Sequence, residues 1–245
     1  MILGLLGSGE FEPWARDVDR RLLAGARDGP VLVVPTASAP EGREVFDRWA
    51  EKGRGHYRGQ GVDADVLPLR TRDDAGRPEL AERIRTAAVV FFSGGNPKYL
   101  ASVVDGTACW AAITEELRRG LAYGGCSAGA AVLGERALWR LHGDNLGPAL
   151  GLFKGTNVGP HWNGIDRHAP GLRPRLVEAL GAGARIVGID ERTAIVGDGR
   201  RWSVLGSGGV HVLEGGRWTD HPAGSTFDLT LLPGEGGGGR RRVGE

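Results

Sequence analysis

The sequence predicts an α/β protein, a largely parallel sheet flanked by helices, with antiparallel hairpins added near the C-terminus. Three observations carry this. Short apolar runs alternate with amphipathic stretches over the first 135 residues, the arrangement that a parallel sheet with crossover helices requires. Val31-Leu32-Val33-Val34 and Ala88-Val89-Val90-Phe91-Phe92 are unbroken apolar runs, the pattern of strands covered on both faces. From Ile186 onward short strand-like segments follow one another closely, which reads as hairpins added to the sheet edge.

In chain order, strands are expected at Ile2 to Leu6, Val31 to Pro35, Ala64 to Leu67, Ala87 to Phe92 and Gly120 to Gly125. Helical segments lie between them, around Trp14 to Ala26, Arg43 to Arg58, Glu79 to Thr86, Tyr99 to Val104 and Ala111 to Arg119. A further helix begins near Ser127. Residues Gly143 to Gly171 are rich in Gly, Pro and Asn and are expected to form loops. A helix from Pro174 to Leu180 follows, then strands at Ile186 to Ile189, Thr193 to Val196, Trp202 to Leu205 and Val210 to Leu213. No repeat and no interior break in composition interrupts the chain, so residues 1–233 are expected to form a single α/β domain. Residues Gly234 to Glu245, Gly-Glu-Gly-Gly-Gly-Gly-Arg-Arg-Arg-Val-Gly-Glu, hold too little apolar surface to order themselves, and a disordered tail is expected.

Composition narrows the classes. The 245 residues carry 31 basic and 30 acidic side chains and a net charge of +1, so no basic footprint calls for nucleic acid. No uncharged apolar stretch approaches the ~18 residues needed to cross a bilayer, and the first residues lack the basic segment of a signal peptide. The 43 glycines show no three-residue period, which assigns them to turns rather than to a fibre. Two cysteines, Cys109 and Cys126, are too few to staple a chain of this length, which favours a reducing compartment and a cytoplasmic location.

Gly125-Cys126-Ser127-Ala128-Gly129 matches the G-x-S-x-G elbow, in which a strained strand-to-helix turn exposes a serine hydroxyl and only small neighbours fit. The context agrees, with Leu121-Ala122-Tyr123 before it and Ala130-Ala131-Val132-Leu133 after it. Cys126 also has small flanking residues and is the alternative nucleophile, although a small buried filler is the commoner role for such a thiol. A serine needs a base. Of the six histidines, His161 in Asn157-Val158-Gly159-Pro160-His161-Trp162-Asn163 sits in an irregular loop after the elbow helix, where catalytic side chains usually reside. His168 is the reserve on the same loop. His211 alternates with apolar residues and is expected on the solvent face of a strand, while His56 and His221 are expected at the surface. The base wants a carboxylate, and Asp190-Glu191 follows the apolar strand Ile186 to Ile189. Ser93-Gly94-Gly95-Asn96-Pro97 follows the strongest strand, so its backbone N–H groups can face an anion.

These segments resemble a known family. Val34-Pro35-Thr36-Ala37-Ser38, Phe92-Ser93-Gly94-Gly95-Asn96, Gly124-Gly125-Cys126-Ser127-Ala128-Gly129-Ala130 and Gly188-Ile189-Asp190-Glu191-Arg192-Thr193-Ala194 look like successive blocks of the cyanophycinase and aspartyl dipeptidase serine peptidases. The resemblance runs in order from Met1 to about Val196. It implies a class I glutamine amidotransferase-like, flavodoxin-like fold. It also implies a triad of Ser127, His161 and Glu191, and an oxyanion hole from Gly95 and Ala128. The substrate contacts it suggests are Asn96 and a cation among Arg167, Arg173 and Arg175, set against the free carboxylate of an aspartyl or β-aspartyl unit. One block departs: those cyanophycinases carry D-Q-H-F around the histidine, where this chain reads Gly159-Pro160-His161-Trp162.

The expected protein is therefore a serine hydrolase of small peptides or isopeptides, a monomer or homodimer, with no metal or organic cofactor and no nucleic-acid or membrane partner. Two alternatives stand beside it. An α/β-hydrolase esterase would share the elbow but normally orders its triad serine, acid, histidine. A non-catalytic amidotransferase-like binding domain would keep the fold without the activity. A dinucleotide site at Gly7-Ser8-Gly9 is excluded, because Glu12 replaces the third glycine and Glu10 would repel a pyrophosphate.

Overall fold

The computed structural model describes residues 1–138, 146–168, 170–181 and 183–232, and gives the backbone alone for Leu138 and His168. The expected tail from Gly234 onward and His142 lie outside the described residues. The strands, in chain order, are β1 (Ile2–Leu6), β2 (Val31–Val34), β3 (Ala64–Val66), β4 (Val89–Phe92), β5 (Ala122–Cys126), β6 (Arg136–Leu138), β7 (Leu146–Pro148), β8 (Thr156–Gly159), β9 (Arg185–Ile189), β10 (Thr193–Gly197), β11 (Arg201–Gly206), β12 (Gly209–Glu214), β13 (Arg217–Pro222) and β14 (Thr226–Asp228). The helices are α1 (Arg16–Gly25), α2 (Arg43–Arg58), α3 (Arg72–Gly76), α4 (Pro78–Arg85), α5 (Pro97–Val104), α6 (Ala108–Leu117), α7 (Ala128–Ala131), α8 (Ile165–His168) and α9 (Leu172–Leu180).

The main sheet runs β14-β11-β10-β1-β5-β4-β2-β3. Its β1, β5, β4, β2 and β3 are parallel, and β10, β11 and β14 extend it antiparallel beyond β1. Every residue of β2 and β4 is buried, as the unbroken apolar runs require of strands with helices on both faces. Each such side chain contributes roughly 1.5–3 kcal/mol on burial. The helices supply the complementary stripes: Val18 and Leu22 of α1, and Leu80, Ala81 and Ile84 of α4, are buried. Asn96 caps α5 by accepting from Tyr99 N–H at 3.0 Å, and Pro97 opens that helix at a position where a missing N–H costs nothing.

Three sequence expectations change. The late strands do not all join the main sheet, because β9, β12 and β13 leave it to form a second sheet in the order β13-β12-β9-β8. Its β8 lies inside the segment expected to be loop. Gly159 and the short length of Thr156–Gly159 hide it from a periodicity reading, and its partner β9, parallel to it, supplies the pairing that the sequence alone does not advertise. His56 is also not a surface residue. Its side chain is only 6% exposed, with Nε2 2.6 Å from Asp19 Oδ2, and Tyr57 Oη donates to Asp19 Oδ1 at 2.8 Å. Two polar positions of opposing helices are thus buried together because each satisfies the other.

Candidate active site

Ligands of open α/β sheets collect beyond the carboxyl ends of the strands, and the predicted residues gather there. Ser127 follows β5 at φ 50° and ψ −108°, a conformation that costs a non-glycine residue energy and persists only when its surroundings enforce it. Those surroundings are visible. Ser127 N–H donates to Leu6 O at 3.0 Å, and Ser127 O accepts from Ala130 and Ala131. A side chain at Gly125 would place its Cβ 2.4 Å from Gly129 O, so the sharp turn into the four-residue α7 demands glycine there.

The histidine expected as base arrives from the second sheet. Parallel β8 and β9 pair Gly159 with Gly188, so the residues just past each strand emerge side by side. His161 and Glu191 are those residues. The ring of His161 bridges the two groups, with Nε2 2.9 Å from Ser127 Oγ and Nδ1 3.3 Å from Glu191 Oε1. His161 itself has φ 54°, and its loop is held by Trp162 N–H donating to Ile189 O at 3.0 Å. Asn163 of the same loop accepts from Glu191 N–H at 3.0 Å, which ties the carboxylate's backbone to the base's loop.

Asp190, the neighbouring carboxylate, faces away. Its Oδ2 accepts from Gly209 N–H at 2.9 Å, and its Oδ1 lies 3.2 Å from His211 Nε2. His211 is half-buried on β12, with Nδ1 2.7 Å from Asp220 Oδ1. His221, expected at the surface, is half-buried in β13 and stacks on Phe227 with centroids 4.1 Å apart. Burial lowers its pKa.

Gly95, with φ 140°, has its backbone packed so tightly that a Cβ would come within 2.4 Å of Ala37 O. Neither Gly95 N–H nor Ala128 N–H has an acceptor among the described residues. Beneath the elbow lies Glu10, 5% exposed. Its Oε1 accepts from Gly94 N–H at 2.8 Å and its Oε2 from Cys126 Sγ at 2.9 Å. Cys126 is fully buried, and burial, followed by the adjacent Glu10 carboxylate, pushes its thiol pKa well up.

A cavity of about 740 Å³ is walled by Ser127, His161, Glu191, Gly95, Asn96 and Ala128, among others. Arg167, Arg173 and Arg175 are not in its wall. Arg167 is exposed, and Arg175 donates to Gly171 O and Pro170 O. Arg173 pairs with Asp166 at 2.5 Å and lies over the Trp162 ring, where it lines a second cavity. Among the described residues the arginine in the wall is Arg136. Sequence reasoning missed Arg136, Glu10 and Asn163. Asn163 stood two residues from the chosen base, whereas Glu10 and Arg136 carry no local signal that points to a site. No helix among the described residues is long and apolar enough to cross a membrane.

Residues 3–205 match the model of peptidase family S51. A cyanophycinase from Synechococcus elongatus is 32% identical over 206 residues, a stretch covering 78% of this chain and 60% of that protein. A cyanophycinase from Trichormus variabilis is 26% identical over 227 residues, covering 86% of this chain and 72% of that protein. The crystal structure of a peptidase from an acI-B1 Actinobacterium aligns with a TM-score of 0.83 and 31% identity, covering 93% of this chain and 96% of that one. The chain thus spans about 60% of the length of the first of these relatives. The family match nonetheless takes in both the elbow and the loop after β9, and on it the chain belongs to peptidase family S51.

Proposed function

We propose that this protein is a serine peptidase that cleaves a small peptide or isopeptide at an aspartyl or β-aspartyl bond through an acyl-enzyme. The observation that carries the reading is the 2.9 Å approach of His161 Nε2 to Ser127 Oγ at a strained elbow. Ser127 Oγ attacks the acyl carbon while its proton passes to His161 Nε2, and the tetrahedral oxyanion is held by the N–H groups of Gly95 and Ala128. The intermediate collapses as the C–N bond breaks and His161 returns the proton to the leaving amine. Water, deprotonated by the same imidazole, then attacks the ester carbon, and Ser127 leaves with the proton restored. Glu191 holds the Nδ1–H tautomer and stabilises the imidazolium in each half.

Family membership supports the peptidase class, and the family resemblance supports an aspartyl or β-aspartyl bond. The test is labelling by a fluorophosphonate followed by peptide mapping. The expected result is one adduct on Ser127, absent from Ser127→Ala. An unlabelled protein would overturn the reading in favour of a binding domain.

A further inference from the structure

Away from the reacting atoms, the wall of the same cavity changes character. Leu146 of β7, Ile165 of α8, Leu176 and Leu180 of α9, and Ile186 of β9 form it. Such a wall takes an apolar side chain, because little in it can replace the water around a polar one. One guanidinium interrupts it. Arg136, at the head of β6, donates from Nη2 to Leu146 O at 3.2 Å and from Nη1 to Ala179 O at 3.5 Å. Those carbonyls belong to the strand and the helix that supply Leu146 and Leu180. The positive charge is therefore set among the apolar side chains.

Among the described residues no carboxylate lies within ion-pair distance of Arg136. Among the described residues the carboxylates lining the cavity are Glu191, which faces His161, and Glu41, which is exposed at the end of the 3₁₀ turn after β2. A half-buried guanidinium that has only carbonyl partners and no anion among the described residues suits a carboxylate, which it can engage with charge-assisted hydrogen bonds.

We infer that the residue released by hydrolysis is an apolar amino acid with a free carboxylate, its side chain on Leu146, Leu176, Leu180 and Ile186 and its carboxylate on Arg136. This rests on the serine-peptidase reading given above. The chemistry fixes the side of the bond. Cation and apolar wall lie together, so they read one residue. An apolar amino acid keeps a free carboxylate only when its nitrogen, not its carboxyl, is in the scissile bond. The substrate is thus a short peptide or isopeptide ending in a residue such as leucine or phenylalanine. A basic residue at that end is disfavoured twice, by repulsion from Arg136 and by desolvation of its own charge.

The experiment measures kcat/KM on dipeptides whose acyl residue is aspartyl, β-aspartyl or alanyl and whose released residue is leucine, phenylalanine, alanine, lysine or leucinamide. Leucine and phenylalanine are expected to exceed lysine at least tenfold, and leucinamide, which lacks the carboxylate, to fall at least tenfold below leucine. Arg136→Ala should erase the difference between leucine and leucinamide, and Arg136→Lys should restore part of it. The leucinamide comparison needs no mutation, so a misfolded Arg136 variant leaves the test intact. If Ser127 is labelled by fluorophosphonate but the leucyl and phenylalanyl peptides are uncleaved or not preferred, this inference alone fails. If Ser127 is not labelled, the serine-peptidase reading fails with it.

Discussion

The carboxylate of Glu10 accepts a hydrogen bond from Gly94 N–H at 2.8 Å across 84 residues of sequence. The same side chain takes the Cys126 thiol on its other oxygen, so one buried acid joins the loop after β1, the glycine turn after β4 and the residue before Ser127. Removing it leaves a partly buried N–H unsatisfied, a loss of about 1–3 kcal/mol, and frees the turn that carries Gly95. Glu10→Ala should lower both the urea midpoint and kcat, the latter about tenfold, whereas Glu10→Gln keeps an acceptor for Gly94 and should lose less. Equal losses in steady-state assays of the two variants would assign the effect to the carboxylate's charge rather than to the acceptor it offers Gly94.

Glu191 and Asp190 divide two tasks between adjacent carboxylates. Loss of an orienting charge leaves the imidazole in the wrong tautomer, which in serine proteases costs roughly four orders of magnitude in turnover. Glu191 is 41% exposed, so solvent screens part of that effect. Glu191→Gln is expected to reduce kcat at least about a hundredfold with KM little changed. Asp190→Asn should spare kcat and instead lower the melting temperature, since Asp190 secures Gly209 and His211. The opposite pattern in kinetics and thermal melts would reassign the triad.

Cys126 is adjacent to Ser127, the proposed nucleophile, yet held as a neutral thiol by burial and by Glu10. Only the thiolate reacts. Iodoacetamide at pH 8 is therefore expected to leave activity unchanged in the folded protein. Cys126→Ala should retain most activity, and Ser127→Ala none above background. Rapid inactivation with carboxymethyl-Cys126 on mapping would contradict this.

Trp162 lies flat against the second sheet, and a Cβ on Gly188 would come within 2.5 Å of its indole. Gly188→Ala must displace the side chain next to His161. Overpacking of this kind costs about 1–3 kcal/mol, and the base moves with its neighbour. We expect a lower melting temperature together with a fall of at least tenfold in kcat, read from calorimetry and steady-state kinetics on one preparation. Normal turnover at reduced stability would separate Trp162 from the base.

Arg27 donates to Glu116, to Ala87 O at 2.8 Å and to Ile84 O at 3.2 Å, locking α1 to α6 and α4. The Arg27 hydrogen bond, opposed by burial and reinforced by Arg119, holds the Glu116 carboxyl below its ordinary range. Its folded value lies beneath its unfolded one, so the stabilisation is complete above the unfolded value near pH 4.5 and is lost as pH falls through the folded value. Glu116→Gln should cost about 1–3 kcal/mol at pH 7 and progressively less toward pH 3, as urea titrations at both pH values would register. A pH-independent cost would remove Glu116 from the acid sensitivity.

The sequence by itself determined the parallel half of this protein. Runs such as Val31–Val34 and Val89–Phe92 have one stable use, burial on both faces, and the elbow at Ser127 needs small residues that its local sequence displays. Glycine-rich turns mark where β1 and β4 end. Tertiary structure decided the remainder. That β8 exists at all depends on β9 as its parallel partner, and that partnership brings His161 within reach of both Ser127 and Glu191. That Glu191 rather than Asp190 lies beside His161 likewise follows from the partners each finds across the sheet. Arg136 and Glu10 were invisible for the same reason: their surroundings come from distant segments. Period and turn chemistry are local and can be read along the chain, whereas a side chain's charge partner or cavity is set by residues that only folding brings near.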